Sequence, residues 1–202
     1  MTLVMSKRQH KVIDAHAFLL KAIPWSETSC VATVFSRDYG LVAGIAKGAK
    51  RPYSVMRPIL SHFQPLVVSW SGTGEVKTIT QAEFDGFIAL PSKALMSAWY
   101  LNELLLRSLP PEDSFSILYD EYVFALQNLS SGLDERIVLR RFEWLLLKEV
   151  GYGMDESMPD FYQLESEPLL RQRLRQAIDN YLEGKTLNTR KVVTELKNSY
   201  PR

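Results

Sequence analysis

TSCVATVF at residues 28–35 and YGLVAGIA at residues 39–46, joined through the polar stretch SRDYG, decide how the front of this chain folds. Both runs are rich in small and β-branched residues. A polar, glycine-containing joint between two such runs is a hairpin signal. Upstream, residues 12–21 alternate loosely and the pattern ends at Pro24, which predicts a preceding strand. Downstream, LVVSW (66–70) predicts a fourth strand, SGTG (71–74) a second hairpin turn, and EVKTITQAE (75–83) a fifth strand. Five short antiparallel strands predict a small barrel or sandwich. A five-stranded Greek-key barrel of the OB type fits that count, although strand count alone does not separate it from other small barrels.

Pro91 marks a change of texture. Residues 93–108 (KALMSAWYLNELLLRS) carry apolar side chains at 95, 96, 99, 101, 104, 105 and 106, a helical stripe ended by Pro110-Pro111. Residues 114–129 predict a second helix, with Phe115, Leu118, Tyr119, Tyr122, Val123 and Leu126 on one side. Residues 134–150 predict a third, strongly apolar helix, with Gly151 as its C-cap. Residues 151–167 hold Gly, Pro, Asp and Glu and predict a connecting loop. Pro168 then opens a fourth helix to about residue 183, and residues 189–198 form a short last one. The expected class is α+β: an OB-type β-barrel domain over residues 1–88 and an α-helical domain over residues 89–202.

Composition bounds the possibilities. A chain of 202 residues makes one large domain or two small ones, and 46% hydrophobic residues supply a real core, which excludes wholesale disorder. No apolar run of about 18 residues occurs, so no membrane span is expected. The first twenty residues intersperse charges among apolar side chains and lack the continuous apolar stretch of a secretory signal. The single cysteine, Cys30, excludes an intramolecular disulfide and a multi-cysteine zinc site, and makes a reducing, cytoplasmic setting the expectation. The net charge of +1 hides an asymmetry: residues 1–60 carry nine Lys/Arg against three Asp/Glu, while residues 92–202 carry fourteen against seventeen. Two modules are implied, and a basic front suggests an anionic partner.

Enzyme signatures are missing. There is no P-loop, GxGxxG, GxSxG or HExxH. His10, His16 and His62 have no partner at helical metal-ligand spacing and read as surface or barrel-edge histidines. Cys30, in a strand, reads as a buried structural thiol. Glu112/Asp113 and Asp134/Glu135 sit at expected helix starts, where the helix dipole accounts for them. An enzyme without a motif thus has no nucleophile–base or metal set to stand on.

The informative segment is 37–57. It holds Arg37, Lys47, Lys50, Arg51 and Arg57 against one acid, Asp38, around the core AKGAKRPYS at 46–54. Small residues beside the lysines let the backbone approach a phosphate, and the cations displace its counterions. Tyr53 and Phe63 offer flat faces for base stacking. The plain alternative is a solvated loop. A second segment, RIVLRRFEWLLLKEV at 136–150, puts Arg140 and Arg141 beside an apolar face. It reads either as a core helix with two exposed arginines or as an apolar groove rimmed by arginine, suited to an acidic peptide with an apolar end.

Several segments together resemble the bacterial RecO recombination-mediator family. They are PWSETS (24–29), AKGAKR (46–51), GEVKTITQAE (74–83), YLNELLLR (100–107) and LRRFE (139–143), ending at GYG (151–153); residues 186–197 loosely resemble the family's closing helix. The resemblance implies an N-terminal OB fold and a helical C-terminal domain. It further implies binding of single- and double-stranded DNA, annealing of complementary strands in DNA repair, and no catalysis. The implied partners are the acidic C-terminal tail of single-stranded DNA-binding protein and the RecR clamp, and the implied setting is the nucleoid. By position, Lys47, Lys50 and Arg51 match the family's DNA-facing loop and Arg140 an arginine of its acidic-tail site. The expected DNA contacts are Arg37, Lys47, Lys50, Arg51, Arg57 and Lys77; the expected peptide contacts are Arg140, Arg141 and Arg107. Many members carry a four-cysteine zinc module after the Gly-Tyr segment, whereas residues 154–167 here hold no cysteine. No metal or cofactor is therefore expected. Lys7, Arg8, His10 and Lys11 form an extra basic start. The competing expectation is a protein-interaction adaptor in which the barrel binds protein and the basic loop is incidental.

Overall fold

A computed structural model describes residues 11–152, 157–163, 165–184 and 187–199, so Lys7, Arg8, His10 and part of the 151–167 connection lie outside the described residues. The chain divides into two compact units, Met1–Phe87 and Ile88–Arg202.

The first unit contains β1 (Lys11–Trp25), β2 (Ser29–Ser36), β3 (Gly40–Ala46), a 3-10 turn at Arg57–Leu60, β4 (Pro65–Ser71) and β5 (Val76–Phe84). The strands close in the order β1-β2-β3-β5-β4, with β3 and β5 parallel and the other pairs antiparallel. That closed five-stranded order is consistent with the OB-type expectation. Period-two alternation drives the closure: Cys30, Ala32 and Val34 of β2 face the same core as Val42 and Ala46 of β3 and Ile79 of β5. Cys30 is buried there, and burial pushes its thiol pKa up.

β1 corrects one expectation. It does not stop short of Pro24 but runs through it to Trp25. Its pairing with β4 ends at Phe18 and Leu19 bridges His62, so beyond Leu19, among the described residues, β1 pairs with β2. A proline, with no N–H to donate, is tolerated on such an edge. Register shifts between Val12 and Ala15 and between Leu19 and Lys21 let one long strand serve two neighbours.

The second unit contains α1 (Leu95–Ser108), α2 (Ser116–Ser131), α3 (Glu135–Glu149), α4 (Glu167–Tyr181) and α5 (Asn188–Ser199). Tyr122 and Phe142 pack edge to face between α2 and α3, both fully buried. Gly151 ends α3 as expected, at φ +72°, with its N–H on Lys148 O (3.0 Å) and Tyr152 N–H on Leu147 O (2.8 Å). Asp134 caps the start of α3, accepting Arg136 N–H at 2.9 Å. Glu112 and Asp113 do not sit at a helix start: they lie in the turn before α2, which begins at Ser116 without an acid in its first turn.

Candidate functional site

Chain leaving β3 at Ala46 turns at once. Gly48 takes φ +69°, and Ala49 buries its methyl completely in the barrel core. An inward Ala49 sends its flanks outward: Lys47 and Arg51 are exposed and Lys50 is half-buried. Three bonds hold this turn to the β1–β2 turn. Gly48 N–H donates to Ser29 Oγ (3.2 Å), Lys50 N–H to Thr28 O (2.8 Å), and Lys50 Nζ to Ser26 O (3.1 Å). The chain then proceeds by successive turns, with Arg51 N–H on Gly48 O (3.0 Å), Ser54 N–H on Arg51 O (3.2 Å) and Arg57 N–H on Ser54 O (3.0 Å). The Arg51 side chain lies along the open face of Gly48, its Cδ 3.5 Å from where a Cβ would stand. Lys47, Lys50, Arg51 and Arg57 are thus strung along one hydrogen-bonded segment, and none of them is ion-paired among the described residues.

Two expected DNA contacts fall elsewhere. Arg37 sits at the opposite end of β3, a strand of 7 residues and on the order of 20 Å long; it lies 3.8 Å from Asp38. Lys77 is only 5% exposed, with its Nζ donating to Gly74 O at 2.7 Å. On β5 it shares the inward parity of Ile79, a period-two signal readable in EVKTIT. Phe63, expected as a stacking face, is 6% exposed, whereas Tyr53 is fully exposed at φ +61°.

A further face, which includes none of the expected contacts, adjoins the cationic segment. Along β1, core-facing Ala22 alternates with outward Lys21, Ile23 and Trp25. Registry extends this face across the sheet in two rows, Lys21–Thr33–Ala43–Val76 and Ile23–Val31–Ile45–Thr78. No carboxylate falls in these rows. They end where Trp25, 57% exposed, stands beside Ser29, the residue that anchors Gly48. An apolar face with an exposed indole therefore abuts the cationic segment. The period-two spacing of Lys21, Ile23 and Trp25 carried that signal.

The helical unit treats its cations differently. Arg140, expected to be exposed, is 7% exposed, with Nη2 on Glu143 Oε1 at 2.9 Å and Nη1 3.8 Å from Glu167 Oε1. Glu143 Oε1 also accepts Tyr100 OH (2.7 Å), and Arg190 donates to that phenol oxygen (2.9 Å). Burial pushes the Glu143 carboxyl up and Arg140 partly offsets it. Arg141 makes a two-point bond to Glu121 (2.7 and 2.8 Å) and lies over the Phe124 ring. Arg107 lies 3.5 Å from Glu103, a carboxylate that also accepts the backbone N–H groups of Asn188 and Thr189. Successive helix residues point about 100° apart. Arg140 accordingly meets α4 while Arg141 meets α2, and the two do not line one rim.

His16 pairs with Asp85 at 2.8 Å, and burial lowers the His62 pKa. Among the described residues, no cluster of three or more His, Cys, Asp or Glu is arranged to hold a metal, and no helix is long and apolar enough to cross a membrane.

Residues 11–87 match the family model described as Recombination protein O N terminal, and residues 92–158 match Recombination protein O C terminal. The DNA repair protein RecO of Aromatoleum aromaticum is 38% identical across 96% of this chain and 99% of its own length. That of Cupriavidus metallidurans is 47% identical over 155 residues, 76% of this chain and 52% of the relative. That of Polynucleobacter asymbioticus is 50% identical over 150 residues, 71% of this chain and 61% of the relative. The matched stretch spans about half the length of the Cupriavidus relatives.

Proposed function

This chain belongs to the recombination protein O family of DNA repair and recombination, and we propose that it binds single- and double-stranded DNA through its barrel and anneals complementary strands without catalysis. The observation that carries this reading is the run of Lys47, Lys50, Arg51 and Arg57 along one hydrogen-bonded segment, unpaired among the described residues and adjoining the Trp25 face. Cations already committed to carboxylates gain little from phosphate; solvated ones release the counterions of the strand they bind. Two complementary strands repel through their phosphates. Neutralising several phosphates on each lowers that repulsion and raises the local strand concentration. Contacts to phosphate carry no sequence information, so the expected binding has weak sequence preference. Trp25 and Tyr53 add flat faces on which unpaired bases stack.

The same reading assigns the helical unit to protein partners: the acidic tail of single-stranded DNA-binding protein at Arg140, and RecR, so that the chain helps load recombinase on coated, gapped DNA at the nucleoid. Arg141 and Arg107, held by Glu121 and Glu103, are not brought to the same rim and leave this site. RecR rests on the family resemblance alone. The test is binding of a labelled single strand, with unlabelled competitor, by the wild type and by Lys47→Glu/Arg51→Glu. Loss in the double variant with an unchanged melting temperature supports the reading. Equal affinity of the two proteins removes the segment from consideration. A wild type that binds no DNA favours the adaptor, for which the exposed Ile23–Trp25 face is the natural docking surface.

A further inference from the structure

The guanidinium of Arg140 is buried and incompletely bonded. Nη2 donates to Glu143 Oε1 (2.9 Å), but Nε has no hydrogen-bond partner, and Nη1 meets Glu167 Oε1 only at 3.8 Å. Glu167 Oε1 and Glu143 Oε2 are likewise buried without a hydrogen bond. Two carboxylates, each with an unsatisfied oxygen, therefore meet a cation whose own Nε is unsatisfied, an arrangement that is costly wherever water is excluded. The carboxylate of Glu167 neutralises Arg140 by charge without completing its donor fork. A carboxylate aligned with two guanidinium nitrogens completes it with two parallel bonds.

Glu167 is the first residue of α4, followed by Pro168. Its charge also acts on Arg136, one turn before Arg140 on α3. Beside this helix start lies an open cleft of about 560 Å³ whose wall mixes Met158, Leu169 and Leu170 with the polar Asp160, Gln163 and Arg173. The cleft therefore offers a mixed wall, with apolar side chains among polar ones, next to the residue that precedes Glu167. The family match to the helical unit ends at residue 158, so α4 is supplied by chain beyond it.

We propose that Glu167 is a built-in plug: an internal carboxylate that occupies the seat on Arg140 until an acidic peptide displaces it and lifts the first turn of α4 from α3. The proposal rests on the reading of Arg140 as a peptide contact and adds its regulation. Bound peptide carboxylate takes the Arg140 fork, the apolar end of the peptide enters the adjoining cleft, and Glu167 is released to water. The resting protein then binds such a peptide more weakly than the site allows, because each binding event must first break the Glu167 contact.

The experiment uses the full chain and a short fluorescein-labelled acidic peptide with an apolar C-terminal residue, read by anisotropy. Glu167→Gln is expected to bind on the order of fivefold more tightly than wild type, because the displaced competitor has lost its charge. Glu167→Asp, which keeps the charge but loses reach, is expected to bind more tightly too and serves if the Gln variant fails to fold. Arg140→Lys, which keeps the charge but loses the fork, is expected to bind less tightly. Hydrogen exchange of the wild type supplies a readout that needs no variant: peptide should speed exchange at the amides of Leu170 and Arg171, the first of α4 to be hydrogen-bonded. Wild-type affinity in both Glu167 variants, with weakened binding in Arg140→Lys, overturns the plug and leaves the peptide reading standing. So does unchanged or slowed exchange in that turn. Undiminished binding by Arg140→Lys, or no binding by any of the proteins, overturns the peptide reading and the plug with it.

Discussion

The barrel and the helical unit both carry conspicuous cations, and they hold them in opposite ways. Lys47, Arg51 and Arg57 are exposed on a segment pinned by its backbone, and their charges are unpaired among the described residues. Arg140, Arg141 and Arg107 each meet a carboxylate of their own unit. Solvated cations are available to a polyanion at little cost, whereas committed cations hold helices together and open to a ligand only by exchange of one carboxylate for another. Affinity for DNA is therefore expected to reside in the barrel, and stability in the helical arginines.

The largest effect separating the two regions is expected from Arg140→Ala. It strands the buried carboxylates of Glu143 and Glu167, and removal of one partner from a buried pair costs about 3–5 kcal/mol. Denaturant titration reads this as a lower midpoint, and DNA affinity per folded molecule should not change. Lys47→Glu with Arg51→Glu should do the reverse, lowering single-strand affinity on the order of 100-fold at low salt with the denaturation midpoint unmoved. A shared loss of stability and binding in either variant would erase the distinction.

A smaller effect is expected at Asp134. Bonds from Arg136 hold its carboxyl below the usual carboxylate range. A depressed folded-state pKa contributes stability that is present above the unfolded value and is lost as pH falls through the folded one. Asp134→Ala should cost about 1 kcal/mol at neutral pH. That difference should shrink under acid conditions in a pH series of denaturant titrations; a gap that widens in acid contradicts the capping role. Smallest of all is Arg107→Ala. Its pair with Glu103, long at 3.5 Å and exposed on the arginine side, should be worth less than about 1 kcal/mol, read in the same titration.

Much of this was legible in residues 28–46, because alternation and a polar joint specify both strands and their hairpin without long-range information. The closing partners were not, since β3 meets β5 only through contacts distant in sequence. The four clustered cations were legible because they lie within eleven residues of one segment. Arg37 is near them in sequence, but β3 carries it to the other end of the barrel. Lys77 could have been excluded by parity with Ile79, and Trp25 included by parity with Lys21 and Ile23. The burial of Arg140 had no local signal. An arginine beside an apolar helix face is exposed or covered according to whether another helix lies over it, and the helix that covers it begins at Glu167, well outside residues 136–150.

Affinity for a single strand measured across a series of salt concentrations decides whether the barrel segment acts as a unit on phosphate. Four cations without a carboxylate partner among the described residues should give a slope of log affinity against log salt of about −3, and Lys47→Glu/Arg51→Glu should flatten it. A wild-type curve that is flat from low to moderate salt, or a slope unchanged by the double substitution, would contradict the assignment.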